Sequence, residues 1–211
     1  MFIQQITLDP VYYFSWIVLA TFSICCHEYA HAAIALRVGD DTAAREGHLT
    51  LNPLIQMGMR SLIMLAVFGI AWGAVPVNLS TVRKRSHRAM ISLAGPLSNL
   101  LLCLIFSLLM VIAKTAGADK AVSFLFIGGA ANGMLFVFNM LPVPVLDGFA
   151  VLSTFHPGLE EFAKRHAGTI FIIFILILWN TPLGSMIFGI GYAIQGLFAQ
   201  LFDTIFSFVL A

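Results

Sequence analysis

Charged residues are scarce in this sequence. Only 10% of its 211 residues are Asp, Glu, Lys or Arg, whereas a soluble domain carries about 25%. Because a soluble core of this length cannot bury the 60% of residues that are apolar, we expect the chain to be solvated by lipid. The net charge is only +1, so the basic surface that nucleic acid requires is missing. We expect no nucleic-acid partner.

The sequence also has few cysteines and no sign of a domain boundary. Cys25, Cys26 and Cys103 have neither a CxxC spacing nor the even number typical of a disulfide framework. There is no internal repeat, low-complexity stretch or linker, and the first residues lack the basic segment of a secretory signal. We therefore expect residues 1–211 to form a single membrane domain without an appended soluble module.

One motif in this apolar background carries chemistry. Residues 27–31 are His-Glu-Tyr-Ala-His, an HExxH motif inside the apolar stretch 14–38. In a helix, His27 and His31 lie on one face, one turn apart, and can bind one zinc ion through neutral imidazole nitrogens. Glu28 can act as general base on a water molecule at the metal. The alternative is a pair of packing histidines, but ionisable groups in a bilayer are functional candidates by default.

Cys26 is a weak candidate for a further ligand. It is adjacent to His27, but in a helix it points about 100° away from that residue. We expect Cys25 and Cys26 to be small helix-packing residues.

Apolar runs predict the positions of the helices. The runs cover residues 11–37, 89–113, 121–141, 167–180 and 183–202. The expected fold class is an all-α polytopic membrane protein of about five to six transmembrane helices. Around the zinc site we expect a re-entrant element or small membrane-embedded strands.

The run 61–75 is ambiguous because it is short for a full span. Seven of the eleven Lys and Arg residues lie between Arg37 and Arg88, and the positive-inside rule places such loops together in the cytoplasm. A full crossing at 61–75 would separate the loops on its two sides. We therefore interpret this run as re-entrant or interfacial, with the N-terminus outside and the C-terminus inside the cell.

Asp147 is the candidate third ligand, since a catalytic zinc usually has three protein ligands and one open position. It follows an apolar helix and the segment Pro142-Val143-Pro144, in which the prolines end the helix and extend the chain. Gly148 then permits a close backbone approach. The alternative is that Asp147 caps a helix that begins near Gly148.

Together these residues resemble the site-2 protease family of intramembrane zinc metalloproteases, in particular its short bacterial branch without PDZ or CBS domains. Four blocks in family order, over about residues 27–155, carry the resemblance. They are the HExxH motif with the following Ala-x-x-x-Gly-Asp, the segments 47–54 and 94–99, and the segment 139–148. The HExxH motif occurs in many unrelated proteases, but its combination with Asn…Pro-x-Pro-x-Leu-Asp-Gly is highly specific.

The resemblance implies a role for each matching residue. His27, His31 and Asp147 match the zinc ligands of the family, and Glu28 matches the catalytic glutamate. Asn139 matches an asparagine that assists at the reacting carbonyl, with a polar contact at a helix end as its alternative.

Two other matches are less informative, and one segment departs from the family. Gly95-Pro96 matches a helix-packing motif without chemistry, and Asn52-Pro53 matches a loop near the substrate cleft or forms an ordinary turn. Residues 55–60 are Ile-Gln-Met-Gly-Met-Arg, where the branch usually has His-x-Asp-Pro-x-Gly. The departure affects loop geometry and substrate choice rather than zinc binding.

The resemblance implies a zinc endopeptidase with one Zn²⁺ per chain that cleaves peptide bonds in or near transmembrane segments. Its expected substrates are transmembrane proteins or signal peptides, and its expected location is the bacterial inner membrane, with the active site toward the cytoplasm. A catalytically silent scaffold or chaperone of the same fold is the alternative, but such a protein has no need for Glu28 beside all three ligands. A zinc or proton carrier should show several polar sites along a path, and often repeated halves, which this sequence lacks.

Overall fold

Helices form nearly all of the regular secondary structure. The structure is a computed structural model that describes residues 1–210, apart from the side chains of residues 157, 160, 164, 209 and 210. No strand is present within residues 1–210. In chain order the elements are a 3-10 helix (Phe2–Gln4), α1 (Gln5–Leu8), α2 (Pro10–Arg37), α3 (Thr42–Arg45), α4 (Pro53–Gln56), α5 (Gly58–Phe68), α6 (Arg85–Thr115), α7 (Asp119–Asn139), α8 (Asp147–Phe155), α9 (Pro157–Asn180) and α10 (Leu183–Leu210).

The predicted class, an all-α polytopic membrane protein, is confirmed. Helices α2, α6, α7 and α10 are long and apolar enough to cross a membrane, and the apolar part of α9, Arg165–Asn180, is shorter. All five predicted helices are present, although α9 begins at Pro157 rather than at 167. The membrane-embedded strands that we considered as an alternative are not found within residues 1–210.

The distribution of side chains agrees with a lipid environment. Large apolar side chains are exposed on the outside of the bundle, including Phe14, Val18, Leu101, Ile105 and Leu197. Polar side chains are almost completely buried inside it, namely Ser23, Asn99, Ser107, Asn132 and Gln195. Helices in a bilayer are held together by such internal hydrogen bonds and by close packing, because lipid does not drive apolar surfaces together.

Helix α2 carries the HExxH histidines on its buried side. It begins where the Asp9 side chain accepts a hydrogen bond from the Tyr12 amide, with Pro10 as its first residue. It packs against α6 and α7, and α10 also packs against α6 and α7. The crossing of α7 and α10 is so close that a Cβ atom on Gly133 would overlap the carbonyl group of Gly191.

The ambiguous run folds as a helix that enters the bundle and a returning segment without regular secondary structure. Helix α5 ends at Gly69, which has a left-handed φ of 75°. At this turn the Trp16 indole donates a hydrogen bond to the Gly69 carbonyl (3.1 Å), and the Tyr13 hydroxyl donates one to Ala66 (3.0 Å). The turn therefore lies beside the N-terminal part of α2.

Beyond the turn, the chain runs back along α2 to the other end of that helix. Ala71 packs near Ile24, and Val77 packs in a cluster with Ala35 and Ile34. The Asn78 amide then donates a hydrogen bond to Asp40, just beyond the C-terminus of α2. Since the chain left α2 at this same end, residues 58–78 form a re-entrant element rather than a crossing, as interpreted from the sequence.

Candidate metal centre and active site

The two histidines of the motif project from α2 into the bundle, and each is less than 10% exposed. Their Nε2 atoms are 3.0 Å apart, and the ring planes are inclined by 77°. The spacing of four residues places both rings on one helix face. The two Nε2 atoms therefore converge on one point.

Asp147 reaches the same point from the connection between α7 and α8. Its Oδ2 atom is 3.0 Å from His27 Nε2, and its Oδ1 atom is 3.4 Å from His31 Nε2. Asp147 is the first residue of α8, whose N-cap is Leu146 and has no side-chain cap. The alternative in which the Asp147 carboxylate caps α8 therefore has no support in the structure.

The α7–α8 connection is bent so that Asp147 can turn inward. After Pro142 and Pro144, Val145 has a φ of 87°, which is unusual and costly for a β-branched residue. Gly148 packs so closely on the end of α7 that a Cβ atom there would overlap the Met140 carbonyl group. The close approach expected at Gly148 is thus present.

The outer nitrogens of the two rings have hydrogen-bond acceptors. His31 Nδ1 is 2.7 Å from the Ile91 carbonyl oxygen, and His27 Nδ1 is 2.6 Å from Asn99 Oδ1. Each Nδ1 atom therefore donates, and in the neutral imidazole each Nε2 atom then presents a lone pair. Two lone pairs and a carboxylate that converge without a proton between them repel one another unless a cation binds.

The ligand set fits a zinc ion. His27, His31 and Asp147 each offer one ligand atom, and these three atoms lie within 4.8 Å of one another. Two imidazole nitrogens and one carboxylate are a zinc set that leaves a fourth position open. Cys26 is not part of this group.

Gly95 of α6 supplies the space beside these ligands. A Cβ atom at this position would overlap the Nε2 atoms of both His27 and His31. Only a residue without a side chain leaves room at that point for an ion. The family resemblance implies only helix packing for Gly95, so the structure adds a second role.

Glu28 lies under the returning segment of the re-entrant element. Its side chain is buried, with the residue 8% exposed. A Cβ atom on Gly73 would overlap the Glu28 carboxylate, so the backbone of residues 72–74 covers this group. This segment is fixed by hydrogen bonds between Trp72 and Ser61 and from the Ala74 amide to the Gln56 carbonyl.

Asp40 anchors the outer end of the same segment. Its carboxylate accepts hydrogen bonds from the Asn78 amide (2.7 Å) and from the Thr42 amide and hydroxyl. Burial by itself raises the pKa of Asp40, but these hydrogen bonds outweigh burial and hold the pKa below its ordinary value. The carboxylate therefore stays ionised at neutral pH and ties the end of the segment to the end of α2.

Asn139 is not drawn into the cluster by any hydrogen bond in the structure. Its amide donates to the Leu135 carbonyl of its own helix (3.0 Å), so its suggested role stays a prediction. Asn52 accepts a hydrogen bond from the Leu54 amide and caps α4, which fits the turn interpretation of Asn52-Pro53.

Three contributions to the site were not recognised in the sequence. They are the Asn99 side chain, the Ile91 carbonyl group and the backbone at Gly73. Asn99 lies in the block 94–99 that carried the resemblance, so its position was marked but its contact was not. The other two are backbone contributions, for which side-chain identity gives no signal.

A buried His–His–carboxylate centre with a glutamate beside its first histidine is typical of a metalloprotease. Curated relatives carry names of this class. The Bacillus subtilis protein named "Putative zinc metalloprotease YwhC" is 37% identical over 175 residues, covering 78% of this chain and 80% of that relative. "Putative zinc metalloprotease Rip2" of Mycobacterium tuberculosis is 32% identical over 182 residues, covering 81% and 68% respectively.

A third relative extends the similarity over most of the chain. The Rip2 protein of Mycolicibacterium smegmatis is 31% identical over 205 residues, covering 88% of this chain and 76% of that relative. No family model matches the chain. No solved structure matches it either. The chain belongs to the site-2 protease family of zinc metalloproteases, and the extent of these alignments is consistent with its short branch without a PDZ domain. Zinc is the metal that the family and the ligand set together indicate.

Proposed function

We propose that this protein is an intramembrane zinc endopeptidase that hydrolyses peptide bonds in or near the transmembrane segments of other proteins. The observation that carries the proposal is the position of the ligand cluster. His27, His31 and Asp147 meet inside a bundle of apolar helices, which supports access of a substrate from within the membrane region. Substrates are expected to be transmembrane proteins or signal peptides.

The site is proposed to face the cytoplasmic side of a bacterial inner membrane. The loops at 38–57 and 79–88 meet at the C-terminal end of α2, where Asp40 binds Asn78 and Val82 packs against Ala35. Seven of the eleven Lys and Arg residues lie between Arg37 and Arg88. The positive-inside rule favours the cytoplasm for such loops.

His27, His31 and Asp147 would hold the zinc ion, with their orientation fixed by the contacts described above. A zinc ion bound there supplies a Lewis acid that activates water and polarises a substrate carbonyl. Glu28 is proposed to take a proton from the attacking water and to deliver it to the leaving amine. Its burial under residues 72–74 would exclude bulk water from that proton.

Asn139 is proposed to donate a hydrogen bond to the oxygen of the reacting carbonyl group. A carboxamide has two N–H groups, and the contact with the Leu135 carbonyl uses one of them. The second N–H group therefore remains for this task.

The substrate must unwind locally, because the carbonyl groups of a helix are occupied by i→i−4 hydrogen bonds. An unwound substrate can align with an extended backbone as an added strand. Residues 70–78 form neither a helix nor a strand and lie against Glu28 through Gly73. We propose that they, or residues 47–53, receive the substrate in this way.

The test is cleavage of a model transmembrane peptide by the purified protein in liposomes. Wild type and Glu28→Gln should both carry about one zinc per chain, because Glu28 is not among the ligands. Glu28→Gln should cleave at least about a thousandfold more slowly, because it removes the base. Glu46→Gln, at an exposed glutamate in the loop after α3, is the matched control and should be fully active. Equal turnover by Glu28→Gln would contradict the enzyme mechanism, and a silent scaffold would show no turnover in any variant.

A further inference from the structure

A chain of buried amide and hydroxyl groups leads away from the metal centre. The Asn99 Oδ1 atom lies 2.6 Å from His27 Nδ1 on the side of the ring that faces away from the metal position. The Asn99 Nδ2 group donates to Asn132 Oδ1 (2.9 Å) and lies 3.4 Å from the Ser23 carbonyl oxygen. All three residues, Ser23, Asn99 and Asn132, have no exposed surface.

The chain continues to backbone carbonyl groups. The Asn132 Nδ2 group donates to the Ser23 hydroxyl oxygen (2.8 Å) and to the Gly128 carbonyl (2.8 Å). The Ser23 hydroxyl donates to the Leu19 carbonyl (2.7 Å). The polar side-chain atoms of Ser23, Asn99 and Asn132 thus all have partners, as a buried network requires.

These carbonyl groups determine the direction of every hydrogen bond, because a carbonyl oxygen can only accept. The Leu19 carbonyl requires the Ser23 hydroxyl to donate, which leaves the Ser23 oxygen to accept from Asn132. The oxygen of the Asn132 amide then faces Asn99 and must accept from it. Rotating the Asn99 amide by 180° would bring its oxygen against two other acceptors, so the orientation is decided by chemistry and not only by atom naming.

The orientation of Asn99 decides which nitrogen of His27 carries the proton. Because the Asn99 oxygen accepts, His27 Nδ1 must donate, and the Nε2 lone pair is free for a metal ion. His31 obtains the same state from the Ile91 backbone carbonyl, which needs no particular side chain. Asn99 is therefore the side chain that determines the tautomer of His27.

We propose that Asn99 is a positioning residue for the zinc ligand His27, held in its orientation by Asn132 and Ser23. The proposal rests on the proposed function in one respect, that His27 binds zinc. Asn99 has no role in proton transfer on this proposal. Its effect is on the affinity for the metal and on the geometry at the metal.

The test compares two variants of equal size in the full-length purified protein. Asn99→Leu removes the acceptor for His27 Nδ1–H. Asn99→Asp retains an oxygen at that place, and the O–H group of its carboxyl, which burial keeps neutral, replaces the Asn99 Nδ2 group as donor to Asn132. Zinc affinity is measured by competition with a chelator, without any cleavage assay. Asn99→Leu should bind zinc about 10–100-fold more weakly, and Asn99→Asp should restore the affinity. Ser107→Ala, at another completely buried polar residue of α6, should bind zinc as tightly as wild type.

Cobalt substitution separates a positioning role from a purely structural one. The visible ligand-field bands of the Co²⁺-loaded protein should shift in Asn99→Leu and not in Ser107→Ala, whatever happens to the melting temperature. Folded Asn99→Leu with wild-type affinity and spectrum would overturn the proposal, as would Asn99→Asp that binds as weakly as Asn99→Leu.

Asn132→Leu provides a second route if Asn99→Leu does not fold. This substitution leaves Asn99 in place but frees its amide to rotate. We expect a smaller loss of zinc affinity and a shifted Co²⁺ spectrum. Wild-type zinc affinity and a wild-type spectrum would overturn the proposal. A wild-type protein that binds no zinc contradicts the proposed function itself. Zinc-loaded wild type with equally tight Asn99→Leu contradicts only the positioning role.

Discussion

At the level of single residues, Gly95 shows how closely the helices meet at the metal centre. It lies in the interior of α6, where glycine is less favourable than alanine by about 1 kcal/mol. The unfavourable residue is explained by the space that it leaves beside His27 and His31. Helix propensity therefore predicts that Gly95→Ala stabilises α6, whereas the geometry of the metal centre predicts that the same substitution prevents zinc binding.

Gly95→Ala should abolish zinc binding, because its methyl group would occupy the point on which the two Nε2 atoms converge. Metal analysis of the purified protein should find well below one zinc per chain. Gly196→Ala is the matched control, because a Cβ atom at that position of α10 meets nothing within 4 Å. Full zinc content in Gly95→Ala would show that the ion does not lie beside this glycine.

Asn139 can be separated from the ligands by its effect on rate alone. Asn139→Leu should retain zinc but cleave about 100–1000-fold more slowly, as expected when one donor to a developing oxyanion is lost. The measurement is turnover of the model peptide in liposomes at equal zinc content. Asn180→Leu is the control, since the side-chain amide of Asn180 donates the same kind of hydrogen bond to the carbonyl four residues earlier in its own helix. Equal rates for the two variants would remove Asn139 from the mechanism.

At the level of elements, the long helices and the candidate ligands could be predicted from the sequence. Apolar runs identify α2, α6, α7 and α10, and the spacing of His27 and His31 fixes their common face. Asp147 was predicted because an acidic residue at a membrane edge needs a partner. The helices and the common face of the two histidines follow from residues that are near one another in the sequence, whereas the choice of a ligand over a helix cap for Asp147 depends on the distant HExxH motif.

Other features depend on tertiary contacts, and the sequence does not contain a local signal for them. Asn99 is 72 residues away from His27 in the sequence and contacts it only because α6 packs against α2. The path of residues 70–78 depends on partners such as Gln56 and Asp40, which lie in other segments. Short helices such as α3 and α4 are set by their caps and turns and have no apolar period to reveal them.

The re-entrant element predicts which loops share one side of the membrane. In a background that lacks Cys25, Cys26 and Cys103, single cysteines at Glu46 and Ser86 should both be protected from a membrane-impermeant thiol reagent in intact cells. Both should react after the membrane is opened, because the loops meet at one end of α2. Lys120→Cys, in the first turn of α7 beyond the opposite end of α6, should react from outside and serves as the control. Labelling of Ser86→Cys alone from outside would require a full crossing at residues 61–75.

At the level of the whole molecule, the bundle is apolar outside and polar where its helices meet. Exposed residues such as Phe14 and Leu101 present an apolar surface to lipid. The internal polar groups Ser23, Asn99 and Asn132 are adjacent to the ligands. The interior thus combines the contacts that hold membrane helices together with those that orient a metal ligand.

The most direct test of intramembrane proteolysis is a mass-spectrometric comparison of peptide termini in membranes from cells that express wild type or Glu28→Gln. Wild-type membranes should contain new termini within or next to transmembrane segments, and the corresponding uncleaved proteins should accumulate with Glu28→Gln. Both proteins must be present at equal levels and carry equal zinc. Identical sets of termini in the two membranes, or differences confined to soluble domains far from any membrane segment, would contradict the proposed function.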